Sequence, residues 1–298
     1  MVAHIDVVGA KKELFRAKIK GKKLFGRGAF DMKYAIACYM KLLFDLGKNL
    51  KNYNFGLMIT SDEEVGGENG VKKLLKEGFR SKVAFVPDCG KNWNFMKKAK
   101  GVWHFSVEAE GKSAHGSRPW LGENAIEKLF EFLKEAKKIF PKEPCHKKHH
   151  WHETFNIGKI EGGRATNQVP DFAKANIDIR FTSMEKFKKI KKYLNQLAKK
   201  YKISFENLSF CEPFECDFQN PYFKIFKKIA KEKFKIKTGK YFSHGTNDGR
   251  FFAKKKIPTI ILRPKGSGSH SDKEWIDIED LEKFYLVLKE FTIKVAKK

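Results

Sequence analysis

The stretch NFGLMITSDEEVGG, residues 54–67, carries a β-strand pattern that runs directly into acidic residues. NFGLMIT is typical of a strand, and SDEE follows it at once. Two other strand patterns in the first third of the chain end similarly: VAHID carries His4 and Asp6, and KVAFV leads to Asp88. Because ligands in open α/β sheets sit beyond the carboxyl ends of the strands, we expect these side chains to share one edge of a sheet.

Helix patterns alternate with these strands, as in MKYAIACYMKLLFDLG and NGVKKLLKEGF. Alternation of this kind predicts an α/β fold with a mostly parallel sheet covered by helices. The middle of the chain differs, because strand patterns such as GVWHFSVEAEG and AKANIDIRF are separated by helix patterns near 123–140 and 184–201. We predict a discontinuous α/β domain over residues 1–97 and 212–298, interrupted by a smaller α+β domain at 98–211.

Composition indicates a globular protein, since 41% of the 298 residues are hydrophobic. No apolar run reaches the roughly 18 residues of a membrane span, and MVAHIDVVGA lacks the basic start of a signal peptide. We therefore expect a soluble cytoplasmic protein with no membrane partner. The five cysteines are odd in number and show no C-x-x-C spacing, which argues against a disulfide framework or a thiolate zinc site.

The net charge of +27 raises the possibility of nucleic-acid binding. The lysines are dispersed, however, on the polar sides of helix patterns such as MEKFKKIKKYLNQLAKKYK, so we expect no nucleic-acid partner. Only eight of the 62 basic residues are arginine, and each of them is a candidate for a task that needs the rigid guanidinium. The stretch HKKHHWH at 146–152 is interpreted as a polar connection and not as a metal site.

Two loops add further groups: LFGRGAFDMK brings Asp31 to the start of a helix, and RPKGSGSH ends at His270. A lone Asp at a strand end is more often a turn former, but five convergent groups indicate a shared task. Imidazoles and carboxylates together suit divalent metals, zinc above all, with cobalt or manganese able to substitute. One carboxylate can bridge two ions about 3.5–4 Å apart. Of the adjacent Glu63 and Glu64, one can bind metal while the other handles a proton.

The motifs AHIDVV, GRGAFDMK, SDEEVGG, GKSAHGSRPWLGENAI, NQVPDFAKANIDIRF and GTNDGRFF occur in this order between residue 1 and about 285. They resemble the co-catalytic zinc metallopeptidase family of succinyl-diaminopimelate desuccinylase, acetylornithine deacetylase, aminoacylase and glutamate carboxypeptidase. The resemblance implies two divalent ions, with His4 and Asp88 on one, Glu64 and His270 on the other, and Asp31 bridging. It also makes Glu63 the general base, while Asp6, taken to lie on the same strand face as His4, would orient that imidazole.

The resemblance assigns the inserted domain as a lid through which two copies dimerise. His115 in SAHGSRP would reach the partner's site and stabilise the oxyanion, although the residue alone is equally well explained as a loop or capping histidine. The positions that match substrate contacts in the family are Asn167, Arg180, Gly245, Thr246 and Arg250. The two arginines among them suit a bidentate carboxylate clamp, for which Lys is a poor replacement.

The expected function is metal-dependent hydrolysis of the amide bond in an N-acyl amino acid or short peptide with a free carboxylate. A dipeptidase or aminopeptidase is the first alternative, because Asp88 stands where many family members carry Glu. Tyr34 stands where small glycines are usual, and we expect it to alter helix packing only.

A second alternative comes from the front of the chain. Relatives carry several dozen residues before the His-x-Asp strand, and this chain has three. We therefore expect that an N-terminal segment is lacking, and a catalytically incomplete fragment that only binds ligands stays an alternative of another class. Nucleic-acid binding is the third.

Overall fold

The computed structural model describes residues 1–141 and 150–298, which divide into two compact units. The first unit comprises Met1–Lys98, Phe214–Ser243 and Asn247–Lys298, and the second comprises Ala99–Pro213 and His244–Thr246. Cys145 and residues 146–149 of the histidine-rich stretch lie outside the described residues.

Short strands and longer helices follow one another along the chain. The strands are β1 (Val2–His4), β2 (Lys18–Lys20), β3 (Lys23–Phe25), β4 (Met58–Thr60), β5 (Ala84–Phe85), β6 (Phe95–Ala99), β7 (Gly101–Glu110), β8 (Thr154–Gly162), β9 (Phe172–Phe181), β10 (Ile203–Cys211), β11 (Phe214–Glu215), β12 (Lys240–Ser243), β13 (Thr259–Ile260), β14 (Gly266–Ser267) and β15 (Trp275–Asp277). The helices are α1 (Lys33–Leu46), α2 (Val71–Lys76), α3 (Ala125–Lys137), α4 (Met184–Tyr201), α5 (Pro221–Phe234), α6 (Gly249–Lys254) and α7 (Ile278–Ala296).

Parallel strand pairs form the centre of the first unit. β1 pairs with β4, and β5 pairs with β13, each in parallel register. Helices α1, α5 and α7 cover them, because each helix presents apolar residues at helical spacing; on α7 these are Phe284, Val287, Leu288 and Phe291. Together with residues such as Ala3 and Phe85 they form one hydrophobic core. The predicted α/β class is confirmed.

Two further sheets complete the first unit, and the first of them is antiparallel throughout. β14, β15, β3 and β2 make a four-stranded sheet in that order, in which Trp275 of β15 lies opposite Phe25 of β3. β11, β6 and β12 make a three-stranded sheet. The sheet content is therefore more mixed than the predicted mostly parallel sheet, because short strands from distant parts of the chain, such as β3 and β15, pair in antiparallel register.

The second unit is an α+β structure with its own core. Its sheet has the order β10-β7-β9-β8, and every neighbouring pair is antiparallel. Side chains alternate along β7 and β9, so that Phe105 and Ile177 are buried with the apolar faces of α3 and α4. Asn124 and Ser183 cap the first turns of α3 and α4 through their side-chain oxygens, as helix N-caps commonly do.

Among the described residues, no helix combines the length and the apolar character that crossing a membrane requires. The four cysteines that the structure describes carry free thiols: Cys38, Cys89, Cys211 and Cys216.

Candidate metal centre and active site

Three strand ends of the first unit bring the central groups of the site together. His4 is the last residue of β1, and it lies opposite Thr60, the last residue of β4. Because the two strands are parallel, the turn after β4 begins at the same edge, and there Glu63–Val65 form a 3-10 turn. Asp88 follows β5 after two residues and is buried. The strand-end positions read from the sequence thus share one edge.

The His4 imidazole is the buried centre of the cluster, with only 1% of the residue exposed. Its Nε2 lies 3.5 Å from Asp31 Oδ1, 3.7 Å from Asp88 Oδ1 and 4.0 Å from Glu63 Oε2. This Nε2 atom forms no hydrogen bond with any described residue. An imidazole nitrogen that is buried, unbonded and surrounded by carboxylate oxygens is a position that a cation can occupy.

Asp31 extends the cluster to a second histidine. Its Oδ1 faces His4, while its Oδ2 lies 3.4 Å from Nε2 of His270. The same nitrogen of His270 is 3.0 Å from Glu64 Oε2. Asp31 therefore directs one oxygen toward each histidine, the arrangement that a carboxylate shared by two ions requires. The peptide bond from Asp31 to Met32 is cis.

Asp6 contacts both halves of the cluster, but not in the way the sequence suggested. The shared strand face is wrong, because β1 ends at His4. The backbone oxygen of Asp6 instead lies 3.0 Å from Nδ1 of His4, and its carboxylate Oδ1 is 3.5 Å from that nitrogen. Its Oδ2 accepts a hydrogen bond of 2.9 Å from the amide of Glu64. Asp6 thus links the first histidine to the turn that carries the two glutamates.

The carboxylates shift one another's pKa strongly. Burial alone would lower the pKa of His4, but the carboxylates of Asp31 and Asp88 raise it to about 12. Burial and the negative charge of Asp88 raise the pKa of Glu63 to about 9, and burial and Asp31 raise that of Asp88 to about 6. Four carboxylates, those of Asp31, Glu63, Glu64 and Asp88, lie close to two histidines, and a divalent ion bound among them would favour their charged forms.

The donor set fits divalent ions. Ligand atoms of His4, Glu63 and Asp88 lie within 4.8 Å of one another, and so do those of His4, Asp31 and Glu64. Imidazole nitrogen and carboxylate oxygen are the ligands that zinc and neighbouring divalent metals take in catalytic sites. Glu63 lies in one of these groups, so the geometry alone permits it as a ligand as well as the general base that the resemblance implies.

Comparison with known proteins identifies the family of this chain. Residues 1–294 match the family described as Peptidase family M20/M25/M40. The chain belongs to peptidase family M20/M25/M40. A succinyl-diaminopimelate desuccinylase from Rickettsia massiliae (strain Mtu5) is 30% identical over 320 residues, covering 99% of this chain and 82% of that protein. The same enzyme from Rickettsia akari (strain Hartford) is 29% identical over 325 residues, with the same coverage.

Solved structures share the fold. A tripeptidase from Staphylococcus aureus subsp. aureus Mu50 superposes with a TM-score of 0.81 at 22% identity, covering 100% of this chain and 80% of that one. Aminopeptidase PepT from Bacillus cereus ATCC 10987 gives a TM-score of 0.77 at 24% identity, covering 98% and 79%. As a member of peptidase family M20/M25/M40, the chain is a metal-dependent hydrolase of amide bonds.

Glu274 and Arg27 support the Asp31 loop of this M20/M25/M40 chain. Glu274 is buried and accepts hydrogen bonds from the Arg27 guanidinium and from three backbone amides between Gly28 and Asp31. Arg27 therefore has a structural role, in which its guanidinium pairs with a buried carboxylate beside the Asp31 loop. Glu274 was missed, because an acid four residues after His270 in an irregular loop gives no signal of contacts nearly 250 positions away.

Arg263 is a second group that sequence reasoning missed. Its Nη1 donates to Ser269 Oγ at 3.1 Å, and its guanidinium lies 4.5 Å from the centre of the Phe30 ring. Although burial opposes it, the carboxylate of Asp31 raises the pKa of Arg263 further above its usual range. Arg263 is therefore a permanent cation near the carboxylates. The rarity of arginine in this chain was the one feature of the sequence that could have drawn attention to it.

Arg250, a predicted substrate contact of this family member, already has a partner. Its Nη2 donates to the Gly66 backbone oxygen at 2.6 Å, and its guanidinium stacks on the Phe251 ring at 4.2 Å. Next to it, Asp248 Oδ1 approaches Gly67 so closely that a Cβ there would lie 2.4 Å away. These contacts support the turn that carries Glu63.

The remaining predicted site residues of the M20/M25/M40 chain lie in the second unit. Exposed His115 has its Nδ1 2.8 Å from Ser117 Oγ, and the next amide, that of Gly116, donates to the oxygen of Asn167. The guanidinium of Arg180 is held by both carboxylate oxygens of Asp178, at 2.7 and 2.8 Å. Gly245 and Thr246 also belong to this unit, and Thr246 Oγ1 is buried without a hydrogen-bond partner among the described residues.

Proposed function

We propose that this chain hydrolyses the amide bond of an N-acyl amino acid or short peptide that bears a free carboxylate, using two divalent ions. Zinc is the first choice, and cobalt or manganese can replace it. N-Succinyl amino acids are the first substrates to test, because the curated relatives are named succinyl-diaminopimelate desuccinylases. The observation that carries the proposal is the Asp31 carboxylate, with one oxygen toward each histidine.

Each metal position has its own set of ligands in this proposal. His4 and Asp88 would hold one ion, Glu64 and His270 the other, and Asp31 would contact both. The 3.7 Å and 3.0 Å separations within the two pairs support this division. Asp6 would keep the His4 ring in place through the contacts to its Nδ1.

Glu63 would act as the general base. When bound, the ions supply the Lewis acidity that polarises the carbonyl and makes water a better nucleophile. Glu63 would take the proton that the attacking water loses and then donate it to the departing amine nitrogen. Its position beside His4 and at the start of the turn after β4 supports this role.

Residues of the second unit would complete substrate binding. In a homodimer, His115 would reach the site of the partner subunit and stabilise the developing oxyanion there. Asn167, Gly245 and Thr246 would contact the substrate, and the Thr246 hydroxyl, which has no hydrogen-bond partner within residues 1–141 and 150–298, supports its part in this. Arg180 and Arg250 would contact the substrate carboxylate only if their present bonds to Asp178 and Gly66 exchange.

The chain would work as a homodimer through the second unit. Among the described strands of its sheet, β8 pairs only with β9, and it exposes Ile157 and Ile160. An edge strand with apolar side chains suits pairing with a second copy. The free thiols of the four described cysteines support a reducing compartment, the cytoplasm. Sedimentation analysis tests the dimer, and a monomer at micromolar concentration would contradict it.

The function is tested on chelated protein reloaded with zinc, cobalt or manganese. The panel contains N-succinyl and N-acetyl amino acids, dipeptides and tripeptides. We expect turnover of an acyl amino acid only after reloading, and turnover of peptides alone would favour the dipeptidase or aminopeptidase alternative. A reloaded protein with two bound ions that cleaves nothing in the panel would support the binding-only alternative.

The base is tested by Glu63→Gln, with Glu68→Gln as its control. Glu68 lies five residues further along the chain and pairs with Lys72 on the surface. If Glu63 is the base, its variant keeps both ions and loses turnover by about 10²–10⁴-fold. If Glu63 is instead a ligand, the variant loses metal, and the proposed role is wrong.

A further inference from the structure

We propose that Glu274 is a positioning residue that fixes the shared ligand Asp31 relative to His270, and so sets the geometry of both metal positions. The inference rests on the proposed function, because it assigns Asp31 to both ions. Glu274 does not itself face the metal positions, since both of its carboxylate oxygens are already engaged with the Asp31 loop.

Each carboxylate oxygen of Glu274 accepts hydrogen bonds from a different part of the Asp31 loop. Oε2 accepts from the Arg27 guanidinium at 2.8 Å and from the Gly28 amide at 3.0 Å. Oε1 accepts from the amides of Phe30 and Asp31 at 2.8 and 2.9 Å. Successive backbone amides that converge on one anion form a concave site, and here the anion belongs to the protein. The hydrogen bond that the Asp31 amide donates to Oε1 of Glu274 restrains the backbone of Asp31 directly.

The loop needs such a partner because three of its amides and the Arg27 guanidinium are buried donors that require an acceptor. Gly28 has a φ of 80°, and a Cβ at this position would lie 2.9 Å from Cγ1 of Val7. Without Glu274, three buried amides and a buried guanidinium would lose their acceptor, and unsatisfied buried donors are strongly unfavourable. A loop with these requirements is held in one conformation only while the carboxylate is present.

Glu274 also connects this loop to the second histidine. It follows His270 by four residues and directly precedes β15, whose Trp275 pairs with Phe25 of β3. Its backbone oxygen accepts from the Gly26 amide at 3.2 Å. The backbone of Glu274 is thus tied to the start of the Asp31 loop, its side chain holds the end of that loop, and its own chain segment carries His270.

Glu274→Gln changes one oxygen into an amide group while keeping the shape of the side chain. The remaining oxygen will face the positive Arg27 guanidinium, because a charged donor is the stronger partner. The new NH₂ group will then face the amides of Phe30 and Asp31, donor against donor. The substitution therefore releases Asp31 in particular.

The matched control is Asp277→Asn, three residues along the same segment. Asp277 is also buried, but its carboxylate accepts from the Asp280 amide at 3.0 Å and from Lys265 at 3.1 Å, and not from the Asp31 loop. Asn is an equally good N-cap, so α7 keeps its start. Glu274→Asp is a milder second variant, which keeps the charge but shortens its reach.

The experiment titrates chelated parent protein and the three variants with Co²⁺, following the visible absorption spectrum and the bound ions by equilibrium dialysis. Circular dichroism verifies that each protein is folded. Disturbing a group that orients a metal ligand typically lowers affinity by about 10–100-fold. We expect that loss and an altered cobalt spectrum for Glu274→Gln, a smaller loss for Glu274→Asp, and parental binding for Asp277→Asn.

A merely structural role would lower the melting temperature of Glu274→Gln and leave the cobalt spectrum and affinity of the folded protein as in the parent. That result would overturn the inference alone. If Glu274→Gln does not fold, parental cobalt binding by folded Glu274→Asp would overturn it instead. A parent protein that binds no cobalt would overturn the proposed function and the inference with it.

Discussion

Tyr34→Phe is the most informative single substitution near the site, because it removes one hydroxyl and keeps the ring. Tyr34 is only 4% exposed, and its hydroxyl donates to the Pro87 backbone oxygen at 2.6 Å. Pro87 directly precedes Asp88, and Tyr34 lies three residues after Asp31 at the start of α1. The hydroxyl therefore connects the segments that carry two of the proposed ligands.

The expected cost follows from leaving a buried carbonyl without this donor. An unsatisfied buried acceptor costs about 1–3 kcal/mol of unfolding free energy. The ring contacts are retained, including the edge-on contact with Phe284 at 5.5 Å between ring centres, so no cavity term is added. A loss of about 2 kcal/mol corresponds to a decrease in melting temperature of about 3 °C for a chain of 298 residues. We also expect zinc affinity to fall by about 10-fold, because Asp88 loses its neighbouring anchor.

Tyr39→Phe is the matched control on the same helix. Tyr39 is fully buried, and its hydroxyl donates to the Val2 backbone oxygen at 2.9 Å. Removing this hydroxyl should lower the free energy of unfolding by a similar amount. Because β1 is still held by its pairing with β4, we expect His4 to keep its position. Thermal unfolding of chelated proteins and competition titration with a chromophoric zinc chelator separate the two effects. Equal zinc affinity in Tyr34→Phe and the parent, or an equal loss in both variants, would refute the reasoning.

Three further predictions concern the metal positions. Asp31→Asn should lower the affinity for both ions, measured as bound zinc per chain after dialysis, and loss of only one ion would contradict the shared-ligand role. Zinc binding at pH 7 should release protons, because His4 and His270 have pKa values raised to about 12 and about 10 and must give up their protons to bind metal; calorimetry in buffers of different ionisation enthalpy measures this. Arg250→Lys should lower turnover more than zinc content, since its bond to Gly66 supports the Glu63 turn.

The strand-end logic predicted a large part of the site, because it depends on a feature that parallel strands impose. β1 and β4 pair in register from Val2 to His4, so groups at their ends must share an edge whatever the loops do. The same logic went wrong for Asp6, since it assumed a strand longer than the three residues that form. Strand length depends on which backbone partners are available, and those partners come from distant parts of the chain.

Tyr34 and Glu274 illustrate what local patterns leave out. Tyr34 was expected to alter helix packing alone, yet its hydroxyl contacts Pro87, 53 positions away. Glu274 contacts the Arg27–Asp31 segment across 243 to 247 positions. Neither residue is part of a sequence motif that indicates a catalytic or metal-binding role, because each hydrogen-bonds to the backbone of a distant segment. Arginine scarcity marked Arg27 only as one of eight arginines and did not indicate its partner.

The charges explain why the site is built around cations that the protein does not itself supply. Asp31, Asp88 and the glutamates Glu63 and Glu64 converge on two histidines, and Arg263 is the permanent cation that acts on Asp31 and Asp88. Without ions, the cluster can persist only by keeping protons on groups such as Glu63, whose pKa rises to about 9. Two divalent ions would replace those protons and leave Glu63 free to accept one from water. If Glu63 is the base, the proton it carries in the metal-free cluster would have to leave before catalysis, and metal binding and activation of the base would then be one event.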